Sequence, residues 1–188
     1  MKPMSEISKA GMPSRLLIIL ALLLPGTASA YDFWWSYMAS YENDMPGSTR
    51  VNLGLQQRAP VAGYPHLIVT GTKYSRSAGQ GLPEIADLDR LNALAEKVKA
   101  TIEAISPAIY AGTFTHQYEQ LHYVYVKDTT GIDAALRGMY ERACPGCAIY
   151  VNVKSDPAWL GYTSFLYPNQ QTLDFHRDEL IKIGIVKP

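Results

Sequence analysis

The chain has 188 residues, with 17 Lys+Arg set against 17 Asp+Glu, so its formal net charge is zero. No run of basic residues occurs in it. Nucleic acid and anionic lipid both want clustered positive charge, and neither is an expected partner. Two cysteines are too few for a multi-disulfide scaffold.

The first element is a leader. Leu16 to Leu24 is nine apolar residues without a charge, behind Arg15, Lys9 and Lys2. Pro25 and Gly26 break the run, and Ala28-Ser29-Ala30 supplies the small-x-small pattern that signal peptidase accepts. A membrane-spanning helix needs about 20 apolar residues, so this run is too short to remain as an anchor. Met12 also serves as a start, because Met12–Ala30 is a complete signal by itself. The expectation is a cleavable signal peptide over 1–30 and one domain over 31–188. The mature protein is then periplasmic or secreted after cleavage following Ala30, with no membrane attachment.

In the mature part, Phe33–Tyr41 alternates with period two, placing Trp35, Tyr37, Ala39 and Tyr41 on one face and Trp34, Ser36, Met38 and Ser40 on the other. That pattern predicts a strand. Turn residues Asn43–Ser48 lead to a second strand, Thr49–Leu55, forming a hairpin. A loop over Gln56–Tyr64 precedes a third strand, His66–Tyr74, and Ser75–Gly81 is flexible by composition. Leu88, Leu91, Ala95, Val98, Ile102 and Ile105 then recur at helical spacing and predict an inward stripe ending at Pro107. Ile109–His116 and Leu121–Lys127 read as strands about a turn at Gln117–Gln120. Thr130-Gly-Ile-Asp133 resembles a capping box opening a helix with Ile132, Leu136, Met139 and Ala143 inward. Ala148–Val153 is a strand. Asp156-Pro157 reads as a cap with proline at the first helical position, starting a helix to about Leu166. Asn169 caps a last helix that Gly184 ends.

From His66 onward the order is strand–helix–strand–strand–helix–strand. It predicts an α+β fold, a ferredoxin-like two-layer sandwich of antiparallel sheet with two helices on one face. The leading β-hairpin extends or flanks the sheet, and C-terminal helices cover what is left.

Four stretches resemble the family known as Domain of Unknown Function 695. They are Val51-Asn-Leu-Gly-Leu55 leading to Tyr64-Pro-His-Leu-Ile68; Gly81-Leu-Pro-Glu84; Tyr110-Ala-Gly-Thr113 running into Leu121–Val126; and Asp156-Pro-Ala-Trp159 with Tyr162 and Leu166-Tyr-Pro168. The resemblance spans Asp32–Val186 and implies an α+β domain with no assigned activity, cofactor or catalytic residue. The export signal and the cysteine pair depart from the family pattern.

Candidate chemistry is sparse. Cys144-Pro-Gly-Cys147 reads as a disulfide clip after a helix, where the dipole opposes the thiolate that redox catalysis wants; a thiol-redox or metal-handling protein is the alternative reading. His116 and His122 flank a predicted hairpin turn, and as cross-strand neighbours they could share an ion with Glu119 or His66. His176 lies near Asp174 and Asp178 without a nucleophile to activate. Glu42, Asp44 and Glu119 are scattered carboxylates that no sequence feature brings together. Gly79 and Gly81 lack the Lys-Ser/Thr ending of a phosphate loop. No catalytic, cofactor or metal residue is therefore assigned.

With 13 Tyr and 3 Trp, the chain is rich in rings that dominate protein interfaces. Trp34, Trp35, Tyr37 and Tyr41 are the expected interaction surface. The preferred reading is a non-catalytic exported module that binds a protein or a cell-envelope component. A small extracytoplasmic hydrolase, its site assembled from distant residues, is the other alternative.

Overall fold

The computed structural model describes residues 32–41, 44–74 and 81–187. The leader, Glu42 and residues 75–80 of the stretch expected to be flexible lie outside the described residues. Six strands, β1 (Trp34–Ser40), β2 (Pro46–Asn52), β3 (His66–Lys73), β4 (Ala108–His116), β5 (Glu119–Val126) and β6 (Ile149–Ser155), form one antiparallel sheet in the order β1-β2-β4-β5-β3-β6. The fold is α+β. Helix α1 (Ile85–Glu103) connects β3 to β4, and α2 (Ile132–Ala143) connects β5 to β6. After β6 come a π-helical turn (Gly161–Leu166) and two short helices, α3 (Gln170–Phe175) and α4 (Arg177–Lys182).

Each strand alternates, so the sheet offers two unlike faces. On one, Ile68, Val124 and Val126 pack beneath Leu94, Val98 and Ile102 of α1 and Ile132, Leu136, Met139 and Tyr140 of α2. On the other, Trp35, Tyr37, Val51, Phe114, Tyr123 and Tyr125 meet Trp159, Tyr162, Leu166 and Leu180. The two covers differ in extent. Helices α1 and α2 lie over β3, β5, β6 and the margin of β4, and among the described residues no helix covers the same face of β1 and β2.

That offset explains a difference from the predicted α1 stripe. Leu91, Leu94, Val98 and Ile102 point inward, whereas Leu88 and Ile105 are 41% and 42% exposed. The helix rests on one half of the sheet, so Leu94 rather than Ala95 faces the core, and Leu88 and Ala95 look across the bare strands.

Other boundaries shift for local reasons. β2 ends at Asn52, whose side-chain oxygen accepts from Gly54 N at 3.0 Å and turns Leu53–Leu55 into a 3-10 helix. The capping box at Thr130 does not form. Asp128 Oδ1 instead accepts from Thr130 N and Oγ1 at 3.0 and 2.9 Å, and Gly131 takes the cap position with φ 78°. Asp156 caps no helix at Pro157; it reaches on to Leu160 N and Gly161 N, both at 2.9 Å. Between them Trp159 turns left-handed, φ 57°, to lay its indole on Tyr125 at 3.9 Å between ring centres. Asn169 does cap α3, accepting from Thr172 N at 2.9 Å, and Gly184 at φ 79° follows α4. The predicted single last helix is broken at His176.

The β4–β5 turn places both Gln117 and Tyr118 at positive φ, 48° and 64°. Tyr118 N donates to Gly81 O at 2.9 Å, and Tyr74 donates to Tyr118 O through its backbone N at 2.9 Å and to Gly81 O through its hydroxyl at 2.7 Å. Tyr74 and Gly81 are thus fastened to the same turn.

Candidate functional site

Where β1 and β2 run out from under α1, a groove of about 680 Å³ opens. Its floor is the exposed half of the sheet, its wall is the flank of α1, and Leu55, Arg58, Leu82 and Pro83 close its ends. A groove of this size is within the range that takes small organic molecules.

Strand register sets the floor. Ser36 pairs with Arg50, Arg50 with Thr113, Thr113 with His122, and His122 with Thr70. These residues form one polar row across five strands. Neighbouring strands are about 4.8 Å apart, so each member is next to the following one.

A β-bulge adds a further group. The β4–β5 register slips between Tyr110 and Gly112, leaving Ala111 as the extra residue, buried against the opposite face. The slip turns Tyr110 and Thr113 to the same side, although their odd spacing would otherwise oppose them. Gly112 is needed there, because a Cβ would stand 2.5 Å from Arg50 O and 3.0 Å from Leu166 Cδ1.

Tyr110 then binds its neighbours. Its hydroxyl lies 3.1 Å from Thr113 Oγ1 and hydrogen-bonds His122 Nδ1. His122 is 2% exposed, and burial drives its pKa down to about 4. Burial also pushes the Tyr110 hydroxyl up to about 12, against the opposing pull of the Thr113 bond and the Arg50 charge. Both groups are neutral at pH 7. A phenol is a stronger donor than an alcohol, and an imidazole nitrogen is the best acceptor present, so Tyr110 donates to His122 Nδ1 and Thr113 to Tyr110. Nε2 of His122 then carries the proton, and it is the ring nitrogen left for whatever enters the groove.

Arg50 stands over the Trp34 ring at 4.8 Å, a cation–π contact, and Trp34 meets Tyr110 at 5.8 Å between centres. Among the described residues no carboxylate pairs with Arg50. Asp32 at the groove's edge accepts from Trp34 Nε1 and, at 3.3 Å, from Asn52 Nδ2. Glu96, Lys99 and Glu103 line the α1 wall. The arrangement can hold a ligand by charge, ring stacking and hydrogen bonds. Its histidine is a weak base at neutral pH, and no activated nucleophile adjoins it.

The four residues expected to make one interaction surface are divided. Trp35 and Tyr37 are each 6% exposed in the core, with Trp35 Nε1 donating to Glu179 at 3.3 Å and the Tyr37 hydroxyl to Leu166 O at 3.0 Å. Tyr41 is half-buried on that same face, edge-on to Phe114 at 4.9 Å. Trp34 alone lines the groove. His116 and His122 cannot share an ion, since they point to opposite faces. His116 pairs with Glu119 beside Tyr41 and Phe114, whereas His122 pairs with Thr113. Among the described residues no cluster of three His, Cys, Asp or Glu could hold a metal. His176 meets Trp35 edge-on at 5.1 Å and Glu179 Oε2 at 3.2 Å.

Cys144 and Cys147 lie within disulfide distance just past α2. Arg90 of α1 reaches them both, with Nη1 at 3.6 and 3.9 Å from the two sulfurs. Arg50, Tyr110 and Thr113 escaped the sequence reading as site residues. For Tyr110 and Thr113 the signal was nevertheless there, in the stretch Tyr110-Ala-Gly-Thr113 that carries the family resemblance.

No curated protein and no solved structure matches the chain. A family model described as a family of unknown function (DUF695) matches residues 32–167, a span that holds all six strands, both large helices and the whole floor of the groove. The chain belongs to the DUF695 family.

Proposed function

We propose that this is an exported, non-catalytic binding domain, and that the groove between α1 and the bare strands β1 and β2 is where it binds. The supporting observation is Arg50, held on Trp34 and without a carboxylate partner among the described residues, in one row with the Tyr110-bound His122. The β3–β6 part, with strand order β4-β5-β3-β6 and α1 and α2 on one face, is read as a ferredoxin-like unit. The leading hairpin widens that unit into a floor. Export rests on the leader over 1–30 with its Ala28-Ser29-Ala30 site. The test is an NMR fragment screen of the purified protein that follows its three indole N–H signals. The expected hits move Trp34 and leave Trp35 and Trp159 in place. A broad screen in which Trp34 never responds would sink the reading.

A second reading, thiol–disulfide exchange at Cys144–Cys147, draws support from Arg90. Its guanidinium supplies the positive field that the C-terminal end of α2 withholds. The dithiol would reduce a substrate disulfide and become the protein disulfide itself. Iodoacetamide reactivity of the reduced protein across pH checks this. A thiol pKa well below the ordinary 8.5 or so, rising in Arg90→Ala, is expected; an unshifted thiol rejects it.

A further inference from the structure

We infer that the groove selects a singly charged organic acid: a carboxylate head carried on an apolar body. This rests on the reading of the groove as a ligand site and goes further by naming the ligand class. Arg50 carries the one formal charge among the strand residues that make the floor. Its guanidinium stands over Trp34 at 4.8 Å, and its planar fork is the group that carboxylates match in a bidentate pair. Two places along the same row, His122 offers Nε2–H, because Tyr110 occupies Nδ1. Arg50 and His122 flank Thr113 on one face, so the cation and the neutral donor both line the same groove.

Charge sets the valence. The groove is lined by Arg50, Arg58 and Lys99 and by Asp32, Glu96 and Glu103, so its signs balance overall. Asp32 is engaged by Trp34 and Asn52. Glu96, Lys99 and Glu103 sit three and four residues apart along one flank of α1, the spacing at which helix side chains neighbour one another. Arg50 is the one charge on the strands of the floor, so a monoanion's charge finds its counterpart there, whereas the second charge of a phosphate dianion finds none on the floor. The rest of the ligand meets Leu82, Pro83, Leu88 and Ala95. Leu88 and Ala95 belong to the apolar stripe of α1 yet face this space rather than the core, so an apolar body gains by covering them.

The test compares 2-naphthoate with 2-naphthamide, probes of one shape that differ in charge. NMR titration follows the Trp34 indole N–H in wild type, Arg50→Gln and Arg50→Lys. Charge-assisted hydrogen bonds favour naphthoate by about tenfold or more in wild type. Arg50→Gln erases that preference, and Arg50→Lys retains part of it. Equal affinity for the two probes overturns the acid preference and leaves the groove standing as a ligand site. If neither probe moves Trp34 while the fragment screen yields other Trp34 ligands, the acid inference alone falls; if nothing moves Trp34, both do. Should Arg50→Gln fold poorly, the wild-type comparison of the two probes still decides.

Discussion

The two faces of the sheet solve opposite problems. On the face covered by residues 156–187, the rings of Trp159, Tyr125 and Tyr162 are sealed, and among the described residues no buried side-chain polar atom lacks a partner. Tyr125 donates to Asp156 Oδ2 at 2.7 Å and accepts from Tyr162 N at 3.1 Å, while Trp159 Nε1 reaches Tyr64 O at 2.8 Å and the Tyr162 hydroxyl reaches Asn52 O at 2.9 Å. Burial works to raise the Asp156 pKa, but the bonds from Gly161, Tyr125 and Leu160 outweigh it and hold the carboxylate below its ordinary value. On the other face the helices stop short, and Arg50 and the ring of Trp34 remain available. The stretch Asp156-Pro-Ala-Trp159 serves architecture; Tyr110-Ala-Gly-Thr113 shapes the site. Ring content alone does not distinguish them, because the deciding quantity is how far the covering layer extends.

Two substitutions in parallel test that contrast most severely. Trp159→Ala removes a fully buried indole stacked on Tyr125 and is expected to cost about 3–5 kcal/mol in urea unfolding. Trp34→Ala, on the half-covered face, is expected to cost about 1 kcal/mol or less while abolishing groove binding. Equal losses would mean that the groove is ordinary core.

A smaller effect separates the faces by pH. The folded pKa of His122, about 4, is below the unfolded value of roughly 6.5. The unfolded chain therefore takes up the proton first as pH falls. Stability is full above about 6.5, is lost by about 1.4 kcal/mol per pH unit on the way down to about 4, and then levels off for this group. Urea titrations of wild type and His122→Gln over that window should differ by this slope. Asp156, also depressed, acts lower: its contribution is complete above the ordinary carboxylate pKa near 3.9 and fades as pH falls further. Identical slopes in the two proteins would show that His122 is not held neutral.

Much of this architecture was legible beforehand. Alternation located β1, because half-buried strands repeat every two residues, and the apolar runs between turns and helices marked β3, β4 and β5. The 3.6-residue stripe located α1 and α2. What sequence could not convey was strand order. Arg50 and Thr113 are far apart along the chain, and they become neighbours only because β2 inserts beside β4. The bulge at Ala111 is likewise invisible to a two-residue period, so Tyr110 and Thr113 read as facing opposite ways. Local chemistry misled at Thr130, where Asp128 competes for the same hydroxyl, and at Asp156, whose acceptors serve residues four and five positions on. The Trp35 and Tyr37 pair read as an interface because alternation tells which residues share a face and not which face is covered.

The fastening of Tyr74 and Gly81 to Tyr118 has a practical corollary. Both ends of the intervening segment are anchored to one rigid reverse turn, and Leu82 and Pro83 at the groove's mouth follow directly from the second anchor. An insertion between the two anchors is expected to leave Leu82 and Pro83 in place, since loop closure penalties grow only slowly with size.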